Sequence, residues 1–166
     1  MGGILARFSM GVNSYVYEID GNPIPLQRHR NFGKRCYDPQ KKQKADMVKF
    51  LDFYIKPLVG PSVALKLHVE YHMPIPKSYT KRSASEALWS PHTKKPDLTN
   101  LMKFTEDVFN GILWEDDSFI SEIYGRKFYS NHPKTVFHIE IIEIEEFKKT
   151  CIEKFLQTAN EMGYEG

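Results

Sequence analysis

The sequence predicts one α/β domain in which a mixed β-sheet is flanked by helices. A chain of 166 residues, 41% of them apolar and 27% charged, is long enough to bury a real core as a single unit. Val63, Leu65, Leu67, Val69 and Tyr71 alternate as one face of a strand does. Leu101, Phe104, Val108 and Ile112 instead recur at helical spacing. Laid out along the chain, the segments run β-α-β-loop-α-β-β-α, with no linker and no internal repeat. The expected unit is the whole of residues 1–166, with its core at about 14–144 and a C-terminal helix at 145–162.

Ser14–Asp20 is rich in β-branched and aromatic residues and stops at Gly21-Asn22-Pro23, so it reads as a strand. Ile24 to Asp38 reads as a long basic loop. From Pro39 the pattern turns helical through Met47, Phe50, Leu51 and Tyr54, with Pro57 and Gly60 marking the end. Val63–Tyr71 is the second strand. Met73 to Pro96, with four prolines, five Lys or Arg, Tyr79 and Trp89, is the least regular stretch, and a loop of that length is usually functional or disordered. Asp97 opens a helix that Asn110-Gly111 closes. Phe119–Tyr129 and Thr135–Ile144 read as strands joined by a turn at Asn131-His132-Pro133. Glu145–Met162 finishes the chain as an amphipathic helix on Phe147, Ile152, Phe155, Leu156 and Ala159.

Composition removes several classes of function. Cys36 and Cys151 have no CxxC partner, so neither a disulfide framework nor a cysteine zinc site is expected. No apolar run approaches the roughly 18 residues of a membrane span, and the first residues carry no signal-peptide or myristoylation pattern. The reading is a soluble cytosolic protein with no membrane partner. GxSxG, Walker A and GxGxxG are all absent, so no hydrolase elbow, P-loop or small-molecule cofactor is expected. His68 and His72, and the His138-Ile139-Glu140 fragment, read as ordinary structural histidines.

The net charge of +2 conceals an asymmetry. From Leu26 to Lys103 there are 16 Lys and Arg against 6 Asp and Glu; from Phe104 to Gly166 there are 6 against 13. A basic half suits contact with a polyanion, because cations that neutralise phosphates release condensed counterions. The densest run is Arg28, Arg30, Lys34, Arg35, Lys41, Lys42 and Lys44. A solvated lysine face would look the same.

The acids are more specific. Asp97 stands where loop becomes helix, a place for a capping carboxylate. Past the helix, Glu115-Asp116-Asp117 puts three like charges in a row, which is either solvated or suited to a hard cation such as Mg²⁺. The two groups meet only if the following strand folds back beside the helix, which the spacing permits.

In order, these pieces resemble a known family. KPDLTNLMK (Lys95–Lys103), then NGILWEDD (Asn110–Asp117), then a strand carrying Lys127-Phe128, resemble the signature of RusA-type Holliday junction resolvases. Gly21-Asn22-Pro23-Ile24-Pro25 with Arg28 and Arg30, and Met73–Ser78, resemble weaker family motifs, so the likeness spans roughly residues 17 to 143. It implies a small mixed α/β fold, a homodimer, and Mg²⁺-dependent paired nicking of four-way DNA junctions, with Mn²⁺ as an alternative ion. It also implies Asp97, Lys103 and Asp117 as the essential residues.

One position departs from that pattern. Residue 99 is threonine where the family has a second aspartate, so the site is one formal charge short. Thr99, Lys103 and Glu106 are i, i+4 and i+7 on one helix face, which offers Glu106 as a displaced replacement. An exposed Glu106 paired with Lys103 is the plainer alternative. The expected metal set is Asp97, Asp117, Asp116 and Glu106. Arg28, Arg30, Lys34, Arg35, Lys77, Lys81, Arg82, Lys94 and Lys95 are the expected DNA backbone contacts. The rival reading is a junction-binding protein weakened or silenced as a nuclease by Thr99.

Overall fold

The computed structural model describes residues 6–11, 13–27, 30–32, 35–49 and 63–161. The main sheet has five strands: β1 (Ala6–Gly11), β2 (Ser14–Asp20), β5 (Val63–Pro74), β6 (Ile120–Ser130) and β7 (Lys134–Glu143), in the order β1-β2-β7-β5-β6. Only β5 and β6 run parallel, so the sheet is mixed as expected. β3 (Arg30–Phe32) and β4 (Arg35–Tyr37) make a separate two-stranded ribbon. The helices are α1 (Lys41–Lys49), α2 (Lys81–Ala87), α3 (Leu98–Phe109) and α4 (Ile144–Glu161). None among the described residues is long and apolar enough to cross a membrane.

Four elements correct the expected order. β1 pairs along the whole of β2, from Ala6 opposite Ile19 to Gly11 opposite Ser14, where the sequence predicts no element. The expected loop at 24–38 contains the β3–β4 ribbon. The irregular stretch at 73–96 contains α2, whose Thr80 side chain accepts from the Ser83 N–H at 3.2 Å. The strands on either side of Asn131-His132-Pro133 follow one another as expected, with β5 lying between them in the sheet. Phe50, Leu51, Tyr54, Pro57 and Gly60, assigned to the first helix and its end, lie outside the described residues.

Alternation decides the faces. Tyr17, Ile19, Leu65, Leu67, Val69, Tyr71, Phe137 and Ile139 all turn toward α3 and are 3% exposed or less. From α3 come Leu101, Phe104, Val108 and Phe109, and from the loop after it Leu113 and Trp114. Each fully buried side chain of this kind contributes roughly 1.5–3 kcal/mol, so α3 is anchored mainly by its apolar stripe. Tyr71 and Thr105 share a buried hydrogen bond of 2.9 Å between strand and helix. Gly125 lets the helix settle onto β6: a Cβ there would stand 2.6 Å from the Met102 sulfur. Ile112, expected in the buried stripe, lies past the end of α3 and is only partly buried.

The opposite face is polar. Lys66 reaches Glu140 at 3.5 Å, His72 Nε2 stands 3.5 Å from Glu70, and Arg126 Nε donates to Glu70 at 3.0 Å. Burial holds His68 and His72, and likewise His92, below the usual imidazole range. For Glu70 burial is the largest influence and opposes ionisation, but the hydrogen bond and charge of Arg126, with His68 and His72, together outweigh it and keep the carboxyl below its ordinary range. The unfolded chain therefore takes up protons first as pH falls, at its histidines below about 6.5 and at Glu70 below about 4.5. Melting temperature is expected to drop by several degrees from pH 7.5 to pH 5 and further by pH 4. A thermal melt that is flat from pH 7.5 to 5 would contradict this.

Candidate active site

α3 begins where the sequence places it. Asp97 is the N-cap residue, and its backbone carbonyl accepts from Asn100 N–H at 3.1 Å and Leu101 N–H at 3.2 Å. Its carboxylate, expected to cap the helix, makes no capping bond. An exposed acid is thus held at the helix start without a local task. Thr99 and Lys103 follow, both exposed, and Glu106 is half-buried farther along.

Glu106 lies within electrostatic reach of Asp117. The Glu106 carboxyl is pushed above its ordinary range by burial first and by the charge of Asp117 second, while Lys103 pulls it back down. The chain after α3 does fold back beside the helix, with Met102 of α3 against Gly125 of β6. Asp116 and Asp117 separate in role. Asp116 precedes a short 3-10 turn (Asp117–Phe119), and its Oδ1 accepts from Ser118 N–H at 2.9 Å. Hydrogen bonds from Ser118 keep the Asp116 carboxyl below its usual range.

Lys127 has a task that sequence reasoning missed. Its Nζ donates to the carbonyls of Lys94 and Pro96, each at 2.6 Å, directly before Asp97. His92 N–H also donates to the Lys127 carbonyl at 3.1 Å. One lysine of β6 thus fastens the strap that delivers Asp97. The Lys127-Phe128 pair was visible as a motif, but a bond spanning 31 residues leaves no local trace.

The expected DNA contacts divide. Lys77, Lys81, Arg82, Lys94 and Lys95 are exposed on the segment between β5 and α3. Arg82 pairs with Glu86 at 2.9 Å, and Lys94 Nζ lies 3.3 Å from the Tyr79 hydroxyl. Arg30 and Arg35 lie on the β3–β4 ribbon, their side chains outside the described residues, as are Arg28 and Lys34 altogether. Leu26 N–H donates to Asn100 O at 2.8 Å, so the segment entering the basic run lies against the first turn of α3. Lys44, counted in that run, is instead a strut whose Nζ is 2.7 Å from both Asp38 and Asp107.

Among the described residues no three His, Cys, Asp or Glu side chains converge into a cage for a metal ion. What the fold provides is two carboxylates within electrostatic reach of each other, Glu106 and Asp117, while Asp97, nine residues before Glu106, stands about 13 Å from it along the helix axis. Mg²⁺ keeps several waters and takes one or two carboxylates plus substrate phosphates, so this donor set fits it, whereas a cation needing a full protein cage would not be served.

Comparison with known proteins adds two findings. A family model described as endodeoxyribonuclease RusA matches residues 20–141. The uncharacterized protein YqaN of Bacillus subtilis (strain 168) is 33% identical over 82 residues, covering 46% of this chain and 55% of its own length. The chain therefore spans about half the length of that curated relative.

Proposed function

Because the chain belongs to the RusA endodeoxyribonuclease family, we propose that it hydrolyses phosphodiester bonds in branched DNA, cutting two strands of a four-way junction. The observation that best supports this reading is that Glu106 lies within reach of the charges of both Asp117 and Lys103, on the helix that Asp97 opens. Glu106 and Asp117 would hold Mg²⁺, or Mn²⁺ in its place, with Asp116 adjacent and partly committed to its Ser118 cap. Bound there, the ion supplies Lewis-acid polarisation of the phosphate and a more acidic water.

The chain's own residues do the rest. Lys103 would stabilise negative charge that gathers on the phosphate as water adds to phosphorus and one P–O ester bond breaks. Lys77, Lys81, Arg82, Lys94 and Lys95 would hold the DNA backbone without reading its sequence. Lys127 acts as a positioning residue, fixing the strap before Asp97. Two cuts in a two-fold substrate call for two sites, so we assign a homodimer. Ile152, Phe155 and Leu156 lie together on α4 and are 59%, 72% and 54% exposed, an apolar stripe that a second copy would cover.

The direct test is a synthetic four-way junction, and a linear duplex of the same sequence, incubated with and without Mg²⁺. Paired nicks in the junction alone, dependent on Mg²⁺, are expected, from a protein that light scattering shows as a dimer at micromolar concentration. A parent that binds the junction and never cuts it would favour the rival reading, a binder silenced by the missing acid at Thr99. A monomer both free and on DNA would count against coordinated cutting.

A further inference from the structure

Trp89 is an aromatic residue placed where folding alone gains little from it. It follows α2 with φ +65°, the left-handed region that strains a bulky residue and suits glycine. Burial of the ring would offset such strain, yet Trp89 is 65% exposed. Its backbone is firmly held. Trp89 N–H donates to Tyr129 O at 2.9 Å, Tyr129 N–H donates to Ser90 O at 3.0 Å, and Pro91 pairs antiparallel with Phe128. A strap fixed along the outer edge of β6 therefore presents an indole to solvent. Strained backbone that persists without a packing reward points to use rather than to stability.

Beside the indole lies a cavity of about 380 Å³, lined by Glu70, Trp89, Pro91, Arg126, Lys127 and Phe128. The Trp89 and Phe128 rings are 5.5 Å apart and tilted by 32°. The Arg126 guanidinium lies 5.7 Å over Phe128 and is tethered there by Glu70. Lys127 spends two of its three donors on the carbonyls before Asp97 and keeps one. Aromatic faces set among fixed cations suit a flat π-system carried on a chain of phosphates.

We propose that this cavity receives one unpaired nucleobase of the DNA substrate, stacked on Trp89, with Lys127 near its phosphate. The proposal rests on the reading that the chain acts on branched DNA. An intact duplex gives up a base only at the cost of unstacking and unpairing, while the crossover of a four-way junction interrupts stacking already. Through Lys127, the cavity adjoins the strap that carries Asp97.

The chain has two tryptophans, and Trp114 is fully buried, so a change in indole emission on adding DNA reports Trp89. The parent, Trp89→Gly and Trp89→Phe are titrated without Mg²⁺ against a labelled four-way junction, a single strand and a linear duplex. Binding is read by anisotropy of the label and stacking by quenching of the indole. Junction and single strand are expected to quench the parent, and duplex to leave it unchanged. Trp89→Gly should melt no lower than the parent, since glycine relieves the backbone, yet bind the junction roughly ten-fold or more weakly. Trp89→Phe should restore most of that affinity. Junction binding without quenching, equal quenching by duplex, or parent-like binding by a well-folded Trp89→Gly would each overturn the proposal while leaving the junction reading intact. A parent that binds none of the three DNAs would overturn both.

Discussion

Asp117→Asn is expected to leave junction binding intact and to lower Mg²⁺-dependent cleavage about a thousand-fold. Polarisation of a phosphate by a bound ion is worth several kcal/mol, and each 1.4 kcal/mol is a factor of ten in rate. Asparagine keeps the shape of Asp117 and removes the charge that reaches Glu106. Asp117 is exposed, so the fold should change little. Asp116→Asn makes the sharp comparison, because asparagine still caps through its side-chain oxygen. If Asp116 serves chiefly the turn, that variant should cut within a few-fold of the parent. Single-turnover cleavage at saturating protein separates the two. An Asp117→Asn variant that cuts at the parent rate would remove Asp117 from the site.

Glu106→Gln is expected to reduce cleavage about a hundred-fold, again with binding intact, if Glu106 supplies the acid missing at position 99. The double change Thr99→Asp with Glu106→Gln should recover part of that loss, since it rebuilds the family's own spacing of acids. Thr99 and Glu106 lie two turns apart on α3, so the recovered carboxylate would approach from the helix start. Thr99→Asp alone is less informative, because an added carboxylate can also repel phosphate. A Glu106→Gln variant that cuts like the parent would make Glu106 a surface residue and remove it from the site. A silent parent revived by Thr99→Asp would identify a binder descended from a nuclease.

Local periodicity was enough for β2, for the start of β5 and for α3, whose buried stripe begins at Leu101 as its spacing predicts. It could not find α2, which buries none of its residues and so carries no apolar face; Thr80 was the one local sign. β1 depends on its partner β2, and the insertion of β5 between β6 and β7 is a long-range choice that a turn at Asn131-His132-Pro133 does not encode. The site divides along the same line. Lys103 and Glu106 shared a helix face by arithmetic, while the approach of Asp117 was only permitted by spacing. Lys44 departs from its expected place because a side chain's partner is decided by tertiary neighbours. Lys44 reads as a surface cation until Asp107, 63 residues away, is brought beside it.

The parallel pairing of β5 with β6 also governs when the proposed site can form. Asp97 and Glu106 belong to the crossover between those strands, and Asp117 stands at the threshold of β6. Parallel pairing closes a long loop before any contact rewards it, so it is intrinsically slow to form. Until β6 docks against β5, the acids on α3 and the acid before β6 have no reason to share a neighbourhood. A nascent or partly unfolded chain can carry every acidic residue of the proposed site and still lack the site. Assembly of the sheet is thus the precondition for the chemistry proposed.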